Sequence, residues 1–277
     1  MSIAVTLGSS FSQTPLNGVS VDPLEIDTPW GMATVWRVLQ VEGTSIPHSA
    51  YLLYRHGVPH RYLPNQIPYQ AQAWALHTLG CTALLLTSSV GVLDASLPLY
   101  TPLFIQDLLM PDQRLPSGAL CTIFDKPTQN QGHLVLDEGL CSQALEAQIR
   151  SFTEPKIYFG PSVTFAYVGG PRTKTSAENH FWLNNGAQVN SMTIGPELVL
   201  ANELEIPTVG IVVGHKYSSA KKLISAKQSQ PQDSVSEIRQ SLVQSREAIE
   251  FIVRRFLAHG QSVLFRNSIY RFHHPSY

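Results

Sequence analysis

The chain has 277 residues, 43% of them hydrophobic and only 14% charged, against roughly 25% charged in an average soluble domain; it is long enough for a full core and too apolar for a disordered segment. Lys and Arg total 19 against 20 Asp and Glu, a net charge of -1, so no global field draws the chain to nucleic acid or anionic lipid, and any anion site must be local. The scarcity of charge also points to surface hidden in an oligomer. Cys81, Cys121 and Cys141 show neither CxxC nor Cys/His spacing, which supports neither a disulfide framework nor a zinc site and fits a reducing compartment. The start, Met1 to Gly8, carries no basic leader, and its apolar run of about five residues is too short for a signal peptide or a span. A cytoplasmic protein is expected.

Short apolar runs that end in small or polar residues are the pattern of buried strands feeding loops. In chain order, Ile3 to Leu7 runs into Gly8-Ser9-Ser10, and Tyr51 to Tyr54 into Arg55-His56-Gly57. A helix is predicted over Gln70 to Leu79, apolar at Ala71, Trp74, Ala75 and Leu76 and stopped by Gly80, the residue type that a left-handed cap favours. Thr82 to Leu86 then feeds Thr87-Ser88-Ser89, and Asp125 to Gly132 reads as an exposed loop. Val163 to Val168 meets Gly169-Gly170-Pro171-Arg172. Pro196 suits a first helical position, with Glu197 to Glu203 behind it, and Thr208 to Val213 runs into Gly214-His215-Lys216. After a loop over Ser225 to Asp233, the longest helix begins near Ser234 with Glu237 completing a capping box. Its apolar stripe is Val235, Ile238, Leu242, Ile249, Ile252 and Phe256, and Gly260 ends it. No repeat or internal boundary intervenes, so one domain over 1–260 with a C-terminal extension over 261–277 is expected. Strands alternating with helices argue for a layered α/β fold, in which loops at the carboxyl ends of strands converge on one pocket.

Those loops are rich in donors. Gly8-Ser9-Ser10 offers amides and hydroxyls at a strand end, Arg55 a fork of N–H groups, and Ser88, Ser89 and Thr193 further hydroxyls and amides. Together they would make an oxyanion cradle. Singly, each has an ordinary explanation: Ser-Ser after a strand is turn chemistry, and an Arg-His pair suits a solvated edge.

The order of the motifs carries more. Asp27-Thr28-Pro29-Trp30-Gly31, Arg55-His56-Gly57 with His60 and Pro64, Tyr69-Gln70-Ala71 with Trp74-Ala75-Leu76, Gly170-Pro171-Arg172, and Met192-Thr193 with Pro196-Glu197 and Leu200-Ala201 resemble the trimeric purine nucleoside phosphorylase and methylthioadenosine phosphorylase family. The resemblance runs from about residue 3 to 257 and is strongest to the branch acting on methylthioadenosine or methylthioinosine. It implies a three-layer αβα fold with a mixed, barrel-like central sheet, a homotrimer, and transfer of a pentosyl group from a purine to inorganic phosphate without metal or organic cofactor. It further implies that phosphate is held by Ser9, Arg55, His56, Ser88, Ser89 and Thr193. Met192 would lie against the ribose, Val90 and Gly91 beside the base, and His133 of a neighbouring subunit over the 5' group. Neither nucleic acid nor a membrane is an expected partner.

The base side departs from that pattern. Lys216 stands where relatives have Asp or Asn, Ser218 where the adenine-type members have a second Asp, and Lys174, beside Thr173, where oxopurine-specific members have Glu. Pro68 replaces the usual Asn. Three readings follow: Lys216 donates to the leaving base of an acceptor-rich purine, with His56 the second candidate catalytic residue; either lysine points to solvent and the backbone contacts the base; or the chain keeps the anion cradle as a ligand-binding protein without turnover. A nucleosidase is disfavoured because the phosphate donors all survive. The tail residues Phe265, Arg266, Tyr270, Arg271, Phe272, His273 and His274 interleave basic and aromatic groups, and docking on the same or a neighbouring subunit is expected of them rather than nucleic-acid contact.

Overall fold

The computed structural model describes residues 1–11, 16–127, 131–218 and 235–271. Four strands run parallel side by side: β4 (Ser49–Tyr54), β1 (Ser2–Leu7), β5 (Cys81–Val92) and β10 (Thr208–Tyr217). β6 (Pro102–Leu109) pairs antiparallel with β10, β8 (Val163–Tyr167) lies parallel to β6, and β9 (Val189–Ser191) links β8 back to β5. Because β10 pairs with both β5 and β6, these five strands close into a barrel. β2 (Val19–Ile26) and β3 (Ala33–Val41) extend the sheet beyond β4 as an antiparallel ribbon.

Alternation along the shared strand shows why both faces need helices. Leu84 and Leu86 of β5 join one core cluster, Ala83 and Leu85 the other, as a period of two requires. The first cluster is covered by α1 (Tyr69–Thr78) and α4 (Gly195–Glu203), the second by α2 (Gln143–Thr153) and α5 (Val235–His259). α3 (Ser176–Asn184) packs Trp182 and Leu183 against a small third cluster. The three-layer αβα fold with a barrel-like mixed sheet is therefore as expected.

Differences from the sequence reading are local. Gly80 does follow α1 at φ +66, but Thr87, Ser88 and Ser89 are strand residues rather than a loop, since β5 runs to Val92 to pair with β9 and with the far end of β10. Gly214, His215 and Lys216 likewise lie within β10, with a register shift between Gly214 and Lys216. In α5, Ile249, Ile252 and Phe256 are buried while Ile238 and Leu242 are 42% and 40% exposed, because only the second half of the helix joins the cluster over the sheet. Ser225 to Asp233, Ser234 and the side chain of Val235 lie outside the described residues, as do Phe272, His273 and His274.

Gly132, assigned from sequence to the end of a loop, opens β7 (Gly132–Val135), which pairs antiparallel with β11 (Ser268–Arg271). A Cβ on Gly132 would sit 2.6 Å from the Tyr270 carbonyl oxygen, so glycine permits this close approach. Asn267 fixes the ribbon to the body: its Oδ1 accepts from the amides of Asp137 and Glu138, and its Nδ2 donates to Gly139 O and Asn202 Oδ1. The described part of the tail thus docks on its own subunit. All three cysteines are buried and free, their thiols pushed up to about 12 by burial. Among the described residues no helix is long and apolar enough to cross a membrane.

Candidate functional site

Arg55 leaves the carboxyl end of β4 and is wholly buried. Its Nε donates to both oxygens of Glu197, at 2.9 and 2.8 Å, and its Nη1 to the Thr87 carbonyl at 2.9 Å. Nη2 has no hydrogen-bond partner among the described residues. A buried cation is tolerable only when paired, and Glu197 supplies the pair while also accepting the Ile194 amide at the start of α4. Gly8, at the end of β1, lets the backbone close on this group: a Cβ there would stand 3.4 Å from Arg55 Nη1, 3.3 Å from Thr87 O and 3.4 Å from Ser88 Cα.

Two hydroxyl pairs lie near it, on opposite faces of β5. Ser88 Oγ lies 3.2 Å from Thr193 Oγ1, and Ser10 Oγ 3.5 Å from Ser89 Oγ. Gly8, Ser10, Ser88 and Ser89 line a cavity of about 150 Å³ whose far wall is β10 and α5. Of the nominated cradle, Arg55 and Ser88 meet beside Gly8 and Ser88 pairs with Thr193, while the Ser89 hydroxyl turns to Ser10; neither Arg55 nor Thr193 lines that cavity. Ser9 is exposed on the turn Ser9–Phe11, and the hydroxyl that reaches Ser89 is that of Ser10.

His56 is buried beside Arg55, stacked on His60 with ring centroids 4.6 Å apart. Its Nδ1 lies 2.9 Å from the Tyr62 carbonyl; a carbonyl only accepts, so Nδ1 carries the proton and Nε2 the lone pair. Burial, against the opposing pull of that carbonyl, holds its pKa down at about 4. His56 is thus neutral at pH 7, with an acceptor rather than a cation to offer.

Met192, at the start of the loop into α4, packs against Gly170, where a Cβ would come within 2.5 Å of its sulfur; its carbonyl accepts from Tyr69 OH at 3.4 Å. Val90 is buried in the core, and Gly91 leaves the room taken by Ser218 Oγ. Ser218 O accepts from Asn179 Nδ2 at 2.7 Å, and Asn179 Oδ1 from Asn190 Nδ2. Lys216 pairs in register with Gly91 and is exposed. Half-buried Lys174 has its pKa lowered to about 8, mainly by burial, with the charges of Lys216 and Arg172 adding to it and Glu178 opposing. Thr173 is exposed, its carbonyl accepting from Arg172, which is itself paired with Glu178.

His133 stands apart from this constellation. It is exposed on β7 opposite Tyr270 and lines a separate groove of about 720 Å³ with Met110 and Thr122. Sequence reasoning missed the pairing of Glu197 with Arg55, 142 positions away, and the place of His215 and α5 on the cavity wall. Glu197 was visible as a helix former behind Pro196 and as part of the Pro196-Glu197 motif, with nothing to mark Arg55 as its partner; His215 left no signal besides its neighbour Lys216. Among the described residues no group of three or more His, Cys, Asp or Glu could hold a metal ion.

The site thus joins a barrel-closed mixed α/β sheet to a buried ion pair between Arg55, at the end of β4, and Glu197, in the first turn of α4. Residues 47–258 match the Phosphorylase superfamily, and the chain belongs to it. It is 28% identical over 215 residues to a probable 6-oxopurine nucleoside phosphorylase of Thermococcus kodakarensis, covering 77% of this chain and 78% of that protein. To a probable S-methyl-5'-thioinosine phosphorylase of Methanopyrus kandleri it is 29% identical over 199 residues, 69% of this chain and 71% of the other. Among solved structures, the methylthioadenosine phosphorylase of Schistosoma mansoni in complex with tubercidin superposes with a TM-score of 0.74 at 19% identity, covering 93% of this chain and 90% of that one.

Proposed function

We propose that the protein catalyses phosphorolysis of a purine nucleoside, releasing the free base and a pentose 1-phosphate, with inorganic phosphate as co-substrate and no metal or organic cofactor. The observation that carries this reading is the buried Arg55 guanidinium, tied down by Glu197 and Thr87 with Nη2 left unpartnered, beside Gly8 and the paired Ser88 and Thr193 hydroxyls. Such a group, held rigidly in a dry site, suits a tetrahedral oxyanion that brings both charge and acceptor oxygens.

Breaking an N-glycosidic bond builds positive charge on the sugar and negative charge on the base. Phosphate anchored under the pentose is at once nucleophile and counter-charge, and its fixed position removes the entropic cost of a bimolecular encounter. Ser9, Arg55, His56, Ser88, Ser89 and Thr193 are assigned to phosphate, Ser10 joining them. Met192 is assigned to the pentose, and Val90, Gly91, Thr173 and Ser218 to the surroundings of the base. Lys216 and Lys174 replace acceptors with donors, which suits a 6-oxopurine better than adenine, whose amino group needs an acceptor. The subunits form a homotrimer in which His133 reaches a neighbour's 5' subsite.

Incubation with inosine, guanosine, adenosine and their 5'-methylthio forms, each with and without phosphate, tests the reading. Base release that requires phosphate and favours the oxopurines is expected; release without phosphate, or none from any nucleoside, overturns it.

A further inference from the structure

Arg55 is gripped at both ends. Glu197 and the Thr87 carbonyl fix its guanidinium. Its main chain lies just past β4, where its amide donates to Leu7 O at 3.3 Å and its carbonyl accepts from Gln72 Nε2 at 3.0 Å. A carbonyl only accepts, which settles the orientation of the Gln72 amide: the nitrogen faces Arg55 and the oxygen does not. A peptide unit is planar, so a donor that holds the Arg55 carbonyl holds the whole unit joining Arg55 to His56. Gln72 stands near the start of α1, and three positions earlier on the same face Tyr69 OH donates to Met192 O at 3.4 Å. This end of the helix therefore touches both segments that carry the assigned site.

As a device for stability Gln72 is poor. The residue is buried, and its Oε1 has no hydrogen-bond partner among the described residues. It lines a cavity of about 20 Å³ with Tyr69, Glu197 and Thr6. An unpaired buried acceptor costs at least as much as one neutral hydrogen bond returns, so the two ends of this amide leave little net gain for folding. A methionine of the same length would fill the space without that penalty. What the amide adds is direction, a donor aimed at the peptide between the two residues by which this loop enters the cradle.

We propose that Gln72 is a positioning residue for the anion cradle: through its bond to the Arg55 carbonyl it fixes the Arg55–His56 peptide, and with it the direction in which the Arg55 guanidinium is offered to phosphate. Without that donor the peptide can tilt while Glu197 and Thr87 still hold the far end of the side chain. The buried ion pair then survives, but its free edge is offered over a range of directions, and a site that is no longer preorganised loses affinity for its anion before it loses its fold. The inference rests on the phosphate reading of Arg55.

Titration calorimetry of the full chain with inorganic phosphate, beside thermal unfolding in its absence, tests the role. Gln72→Met keeps the length of the side chain and removes both its donor and its acceptor. It should bind phosphate at least about tenfold more weakly than the wild type, with Tm changed by no more than about 3 °C. Gln72→Glu adds a pH profile, because burial raises a carboxyl pKa. At about pH 5 its O–H can donate to the Arg55 carbonyl and affinity should approach that of the wild type; at about pH 8 the ionised form has no proton to give and affinity should be about tenfold lower or more. Each value is taken relative to the wild type at the same pH, which cancels the titration of the groups facing this position, Arg55, Glu197 and Tyr69. Affinity within about threefold of the wild type in Gln72→Met, or a Gln72→Glu ratio that does not change with pH, overturns the proposal. The Gln72→Glu profile decides it should Gln72→Met fail to fold. Absence of phosphate binding in the wild type overturns the phosphate reading itself, and this inference with it.

Discussion

Replacing Glu197 by Gln leaves the shape of the Arg55 pocket and the acceptor for the Ile194 amide in place, but removes the counter-charge of a wholly buried guanidinium. Breaking a buried pair from one side costs about 3–5 kcal/mol, because the remaining charge keeps its desolvation penalty and loses its compensation. With roughly 2.1 cal/mol/K of unfolding entropy per residue over 277 residues, a loss of about 3 kcal/mol lowers Tm by about 5 °C. Scanning calorimetry of Glu197→Gln beside Glu205→Gln makes the comparison, since Glu205 forms a pair of similar chemistry with Arg271 in which both side chains are 40% or more exposed. The exposed pair should be nearly silent. Added phosphate should recover much of the Tm lost in Glu197→Gln, because an anion in the cradle takes over the missing counter-charge. A Glu197→Gln protein as stable as the wild type, or one that phosphate does not rescue further than the wild type, would refute the account of Arg55 as a desolvated cation awaiting an anion.

Other consequences are as direct. Gly8→Ala places a methyl against Thr87 O, Ser88 Cα and Arg55 Nη1; steady-state kinetics should show KM for phosphate raised about tenfold or more with KM for nucleoside little changed. His56, depressed to about 4 in the fold from an ordinary 6.5, favours folding fully above about pH 6.5, and that contribution is lost as pH falls from there to about 4. The amount is about 3 kcal/mol, and urea titrations at pH 7, 5.5 and 4 should show it diminished in His56→Gln. If Lys174 donates to the base, kcat/KM should decline as pH rises through about 8, and Lys174→Met should lose that limb; a limb that survives the substitution removes Lys174 from the site. Asn267→Ala unties β11 from the 137–139 loop and from Asn202, and hydrogen exchange should report faster amides in β7 and α4 with the barrel strands unaffected.

Much of the site was legible because its residues sit where local rules leave marks. Gly80 stops α1 by its positive φ, and Pro196-Glu197 opens α4 with a proline whose amide is not needed and a carboxylate near the positive end of the helix. The apolar runs at Ile3 to Leu7 and Tyr51 to Tyr54 became β1 and β4, with Gly8 and Arg55 at their carboxyl ends. Periodicity set the class of fold, and motif order pointed to the family to which the chain belongs.

What the order of residues could not disclose depends on groups far apart in the chain meeting through closure of the barrel. β5 and β10 run on to Val92 and Tyr217 because each has partners on both edges, so residues read as loop became strand. Which serine faces the cavity was decided by the turn at Ser9–Phe11 and by Arg246 of α5 gripping the Ser10 carbonyl. Glu197, known from sequence as a helix former behind Pro196, became the counter-charge of Arg55 only when α4 joined β4 and β5 in one core cluster. A single inserted residue in β10 exposed Lys216 and set His215 on the cavity wall, since a side chain's face in a strand depends on register and register is fixed by pairing.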